Sequence, residues 1–227
     1  MTAQPPADDG DTGWSALHGG VQPSRVVRGW LSLVRMLASG PVVRIPPDVL
    51  SVLGVLALVG AWAAVTGPGW PALSVALVIA AGVLDGLDGA VALRTGKARP
   101  LGAVVDSVAD RLGDLLLGAI LLALGAAPGW VIAALTLVWL LEYVRARAQA
   151  VGMPGVGTVT VAERPTRLIV VGLAAAGAAV SWSGVPLTGW TWGTMLAITW
   201  TAVGLVGLAQ LLPAIRRSMP SSFPPDR

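Results

Sequence analysis

Residues 83–114 read VLDGLDGAVALRTGKARPLGAVVDSVADRLGD, five aspartates set between strongly apolar flanks. Asp85 and Asp88 are three apart, and Asp106, Asp110 and Asp114 follow one another at intervals of four. In helices each set therefore shares one face. The turn between them holds Arg94, Lys97, Arg99 and Pro100. So short a link predicts two antiparallel neighbouring helices, with Asp85, Asp88, Asp106 and Asp110 converging at one depth.

The flanks decide what kind of helices these are. Crossing a bilayer takes roughly 20 mainly apolar residues, and six segments qualify, at 47–66, 71–93, 101–125, 129–149, 166–183 and 189–212. Of the 227 residues 55% are hydrophobic and 12% charged, and the mean hydropathy is +0.75. A soluble domain carries about 25% charged residues. The expected fold is all-α integral membrane: six transmembrane helices preceded by a cytoplasmic interfacial amphipathic helix at 24–40. In that stretch Arg25, Arg28 and Arg35 alternate with Val, Trp and Leu at helical spacing, as suits a helix lying among headgroups. Residues 1–23 are acidic and Pro/Gly-rich and read as a disordered cytoplasmic tail. They lack the basic start and apolar run of a signal peptide. Residues 41–213 then form one six-span domain, and 214–227 a basic, polar C-terminal tail.

Charge sets the orientation. The links after spans one, three and five contain no Lys or Arg, so all 15 basic residues lie on the other side. The positive-inside rule makes that side cytoplasmic, with both termini on it, in the cell membrane. Trp30, Trp70, Trp130, Trp182 and Trp190 sit near span ends, where indoles favour the interface. The chain has no cysteine, which excludes disulfides, thiolate catalysis and Cys-based zinc sites. Its basic balance is accounted for by the membrane face, without nucleic acid.

Clustered carboxylates inside a bilayer need neutralising. A charge at mid-bilayer costs about 2.5–3.5 kcal/mol on insertion scales, and like-charge repulsion adds to it. Oxygen ligands alone select hard ions, so Mg²⁺ or Mn²⁺ is expected, with Ca²⁺ an alternative. Four carboxylates can hold two ions, an arrangement suited to displacement at phosphorus. Gly86, Gly89 and Gly102 keep the helix walls low enough for a phosphate to approach. The competing reading is an ion path in a transporter. Acids confined to two helices at one membrane face suit a shallow catalytic site better than a through-path.

These residues resemble the signature of the CDP-alcohol phosphotransferase family: D-x2-D-G-x2-A-R, eight or nine residues, then G-x3-D-x3-D. Asp85, Asp88, Gly89, Ala92, Gly102, Asp106 and Asp110 match it, and Leu93 stands where the family has arginine, followed by Arg94. Arg94 lies about 100° further round a helix, so it replaces the missing arginine only if the helix unwinds there. Residues 44–51 (RIPPDVLS) resemble the R-x-x-P-N-x-x-T/S opening of the first span, with Asp48 where Asn is usual. The stretches 143–150 (YVRARAQA) and 162–168 (AERPTRL) are similar to the phosphatidylinositol-phosphate synthase branch.

The resemblance implies a metal-dependent transferase of phospholipid biosynthesis. It would move a phosphatidyl group from a CDP-linked lipid such as CDP-diacylglycerol to a small, phosphorylated, inositol phosphate-like polyol, releasing CMP. The implied metal ligands are Asp85, Asp88, Asp106 and Asp110, holding two ions (Mg²⁺ or Mn²⁺), with Asp110 also the general base. The CDP donor falls to Asp48, Ser51, Gly89, Ala92, Arg94, Arg99 and Gly102. Arg145, Arg147, Arg164 and Arg167 gather where an acceptor phosphate would bind, since arginine grips phosphate bidentately. Plain attraction to anionic headgroups explains the same arginines, and Glu142 and Glu163 are competing partners for them. Arg111 reads as a partner of Asp114. A homodimer accords with the family, although the span pattern marks no dimer face. The alternative function is a catalytically impaired relative that binds lipid or a membrane partner.

Overall fold

The computed structural model describes residues 32, 36–38, 41–155, 158–186 and 188–219. The expected tail at 1–23, most of the expected interfacial helix at 24–40 (with Arg25, Arg28, Trp30 and Arg35), and residues 220–227 lie outside them. Among the described residues there is no strand. After a 3-10 turn, Pro41–Arg44, come six helices: α1 (Pro47–Thr66), α2 (Pro71–Arg94), α3 (Pro100–Ala123), α4 (Pro128–Ala150), α5 (Arg164–Val180) and α6 (Trp192–Ser218).

Local chemistry explains their ends. Each of α1 to α5 has a proline in its first two positions, where the missing N–H costs nothing and the fixed φ favours the helix. Thr191 caps α6, its hydroxyl accepting from the Thr194 amide at 3.1 Å. At the end of α2, Gly96 turns left-handed (φ 64°), and the Lys97 and Gly96 amides reach back to the carbonyls of Ala92 (3.0 Å) and Leu93 (3.4 Å). That is a Schellman closure, repeated after α3 at Gly125 and after α4 at Gly152. The α2 helix therefore stays wound through Arg94.

The apolar segments and the helices coincide closely, and α6 departs most. It runs through Pro213 to Ser218 instead of stopping at 212. Proline there removes a hydrogen bond to Ala209, but packing sustains the helix: Leu211 is buried with Leu141 and Ala162, and Ile215 lies against them.

One expectation is corrected. The α2 and α3 helices are not packed side by side; α3 lies chiefly along α1, which packs most extensively on α2, while α5 joins α2 to α6. The reason is the facing surfaces themselves, which carry carboxylates and glycines instead of interlocking apolar side chains. A cleft remains between α2 and α3, with α1 as its back wall.

Below the cleft, a core of Leu58, Val78, Leu117, Val138, Val171 and Trp200 joins all six helices. Four of them (α1, α2, α4 and α6) are long and apolar enough to cross a membrane. The α3 helix matches α2 in length but carries Asp106, Asp110, Arg111 and Asp114, and α5 has only 17 residues. Leu101, Val104, Val108, Leu112 and Leu115 make an exposed apolar stripe on α3, as do Val49, Val52, Leu56 and Val59 on α1. Such continuous stripes belong against lipid or protein.

Candidate active site

Asp85 from α2 and Asp106 and Asp110 from α3 meet at the mouth of the cleft, one carboxylate oxygen of each within 4.8 Å of the others. All three donors are hard oxygens, and Asp106 is exposed. The geometry fits a divalent cation approached from the open side. Gly89 faces open space, with nothing within 4 Å of where its Cβ would stand, so the wall beside the acids is low.

Asp88 does not join the three. It is buried, its Oδ2 accepting from the Ser51 hydroxyl at 2.6 Å and its Oδ1 from the Gly89 amide at 2.6 Å. Ser51, expected beside the donor, thus tethers an acid of the motif to α1. Asp48 is ion-paired with Arg99, and the two line a cavity of about 380 Å³ with Pro46, Pro47, Gly96, Lys97 and Ala98. Gly102 lies beside them, Asp48 Oδ1 standing 3.7 Å from its hypothetical Cβ. Leu93 and Arg94 are both exposed, and Ala92 is half-buried.

The four arginines expected around an acceptor phosphate are used very differently. Arg167 is 2% exposed and fully engaged. Its Nη1 donates to both oxygens of buried Asp114 (3.1 and 3.0 Å), its Nη2 to Glu142 (2.8 Å) and its Nε to the Ala162 carbonyl (3.1 Å). Arg145 donates to Glu163 at 2.8 Å and lies 3.5 Å from Glu142. Arg111 stands 3.2 Å from Asp114, as its spacing suggested. Arg147 is exposed and has no partner among the described residues. Arg164 enters the acidic cluster itself, its Nε 2.7 Å from Asp85 and its Nη1 2.9 Å from Asp110.

Glu163 organises the approach to α5. Its Oε1 accepts from the Thr160 amide (2.9 Å) and hydroxyl (3.0 Å) as well as from Arg145. Burial pushes its carboxyl up, but Arg145 and the Thr160 bonds outweigh that and hold it below the ordinary glutamate range. Sequence reasoning missed the seat of Arg164 and the Ser51–Asp88 bond. The signal for the first was Gly113, one turn beyond Asp110: a Cβ there would stand 2.9 Å from Arg164 Nη2.

Comparison with known proteins identifies the family. The family model for CDP-alcohol phosphatidyltransferase matches residues 44–208. The chain belongs to that family. Among the CDP-alcohol phosphatidyltransferases it resembles, the archaetidylinositol phosphate synthase of Pyrococcus horikoshii is 39% identical over 103 residues, which is 43% of this chain and 53% of the relative. The chain thus spans about half the length of two of the archaeal relatives it matches. The phosphatidylinositol phosphate synthase of Mycobacterium marinum is 35% identical over 184 residues, covering 71% of this chain and 76% of that one. The phosphatidylinositol phosphate synthase PgsA1 of Mycobacterium tuberculosis has been solved with manganese and citrate, at TM-score 0.62 and 25% identity over 82% of this chain and 90% of that chain. Its structure with CDP-DAG bound gives TM-score 0.61 and 26% identity, covering 82% and 95%. With its apolar helices, this family member is a multi-pass membrane protein.

Proposed function

We propose that this protein transfers a phosphatidyl group from CDP-diacylglycerol, or a similar CDP-linked lipid, to a hydroxyl of an inositol phosphate-like acceptor. The observation that carries the reading is the meeting of Asp85, Asp106 and Asp110 at an open cleft. Family membership and relatives that are phosphatidylinositol phosphate synthases support the substrate classes.

In the reaction the acceptor oxygen attacks the phosphorus that carries the diacylglycerol, and the bond from that phosphorus to the CMP oxygen breaks. CMP leaves with the bonding electrons, and the acceptor proton passes to Asp110. Asp85, Asp106 and Asp110, with Asp88 as the fourth acid, would hold two ions, Mg²⁺ or Mn²⁺. When bound, these would supply charge neutralisation at the diphosphate and the departing CMP. A metal-bound carboxylate is a weak base, so holding the hydroxyl in line contributes much of the rate.

On the donor side, Asp48, Arg99 and Gly102 line or border the cavity, Gly89 and Ala92 form the low wall, and Ser51 fixes Asp88. Arg94, exposed and without a partner among the described residues, reaches the diphosphate with its long side chain. The acceptor phosphate falls to Arg147 and Arg164, with Arg145 and Arg167 shaping the floor beneath them.

Six bilayer crossings, α3 and α5 included, follow from pairing each of these helices with apolar neighbours. Both termini then lie on the cytoplasmic side, and the family precedent favours a homodimer. CMP release by purified protein, given CDP-diacylglycerol and a panel of polyol phosphates, tests the reading. Release with inositol phosphate supports it; release with none of them refutes it.

A further inference from the structure

Arg164 is the one arginine of the acceptor group whose partners are the acids of the cluster. Its guanidinium spans two of them, Asp85 at 2.7 Å and Asp110 at 2.9 Å, and donates to the Asp110 backbone carbonyl at 3.0 Å. It reaches them by lying over bare backbone at Gly113. The ionic contacts are close but misaligned: neither Arg164 Nε nor Asp110 Oδ1 makes a hydrogen bond, although both are buried. Arg167, three residues on, shows the contrast. Its four hydrogen bonds lock it in place.

We infer that Arg164 and a divalent cation compete for Asp85 and Asp110, so that cation loading releases the arginine to an acceptor phosphate. The inference rests on the proposed function and names the residue that couples its two half-sites. A guanidinium and a divalent cation cannot share two carboxylates without strong like-charge repulsion. The weakly aligned ion pair is the part that yields. Arg164 sits on the first turn of α5, on the same membrane face as exposed Arg147, so a phosphate beside them is its natural alternative partner. By linkage, phosphate then tightens cation binding as much as the cation tightens phosphate binding.

The test measures Mn²⁺ affinity directly, from the electron paramagnetic resonance signal of free Mn²⁺, on the purified full chain. Arg164→Gln removes the competitor and should bind Mn²⁺ at least about five-fold tighter, the low end of ordinary coupling. In the wild type, saturating inositol phosphate should tighten Mn²⁺ by a similar factor, and in Arg164→Gln it should no longer do so. Arg147→Gln, which also removes a positive charge, should leave Mn²⁺ affinity within about two-fold. Equal Mn²⁺ affinity in wild type and Arg164→Gln, or phosphate coupling that persists in that variant, overturns the inference. Arg164→Lys, which keeps the charge, guards against misfolding: it should bind Mn²⁺ as weakly as the wild type, and tight binding there also overturns it. Asp106, which Arg164 does not contact, separates the two readings. If Asp106→Asn leaves Mn²⁺ binding intact, the metal cluster itself is wrong.

Discussion

Leu93 is the residue at which this chain departs from the family motif, and its surroundings bear on donor binding. The Schellman closure at Gly96 keeps α2 helical through Arg94, so no unwinding carries Arg94 into the place of Leu93. Its flexible side chain has to span the difference of about 100°. Leu93 is 65% exposed, and Arg94 is exposed beside it. Arg94→Ala should therefore raise the donor KM and lower donor kcat/KM roughly ten- to hundred-fold, the worth of a charged hydrogen bond to phosphate. The acceptor KM should stay nearly unchanged, and Leu93→Arg should add little. Steady-state kinetics with one donor checks both variants. A large gain from Leu93→Arg with no loss from Arg94→Ala would identify the chain as a weakened relative whose donor site lacks its arginine.

At the scale of elements, α3, α4 and α5 are tied by an ionic network of buried Arg167 and Asp114 with half-buried Glu142. Removing one member of a buried pair costs about 3–5 kcal/mol when no countercharge remains, and Arg111, 3.2 Å from Asp114, offsets part of that here. Arg167→Leu should thus lower the melting temperature sharply, as read by thermal unfolding in detergent. A variant of unchanged stability and raised acceptor KM would instead make Arg167 a phosphate ligand. This division among four arginines was not legible in the sequence. Spacing placed them at one membrane face, and positive-inside charge and phosphate binding predict the same pattern there. What separates them is burial and the position of acids from other helices, which no single segment encodes. The aspartates were far more legible, because helical periodicity alone puts 106 and 110 on one face. Even so, the short turn suggested that α2 and α3 pack together. It could not show that α1 takes up the packing of both, because that depends on how three helices share small and large residues.

For the whole molecule, the segregation of Lys and Arg supports the proposed orientation, with the basic side cytoplasmic. The turn after α2 lies on the basic side, so the native absence of cysteine makes labelling informative. Ala98→Cys, exposed in that turn, should resist an impermeant thiol reagent outside intact cells and react after permeabilisation. Labelling from outside would invert the topology. In that proposed orientation the acidic cleft would lie at the cytoplasmic boundary, where a water-soluble polyol phosphate and a membrane-held CDP lipid could meet. The central claim is metal-dependent transfer at that cleft, and CMP release from CDP-diacylglycerol and inositol phosphate tests it most directly. The expected result is release that requires Mg²⁺ or Mn²⁺ and is lost in Asp106→Asn while that variant stays folded in the membrane. CMP release undiminished in excess EDTA, or in Asp106→Asn, would contradict it.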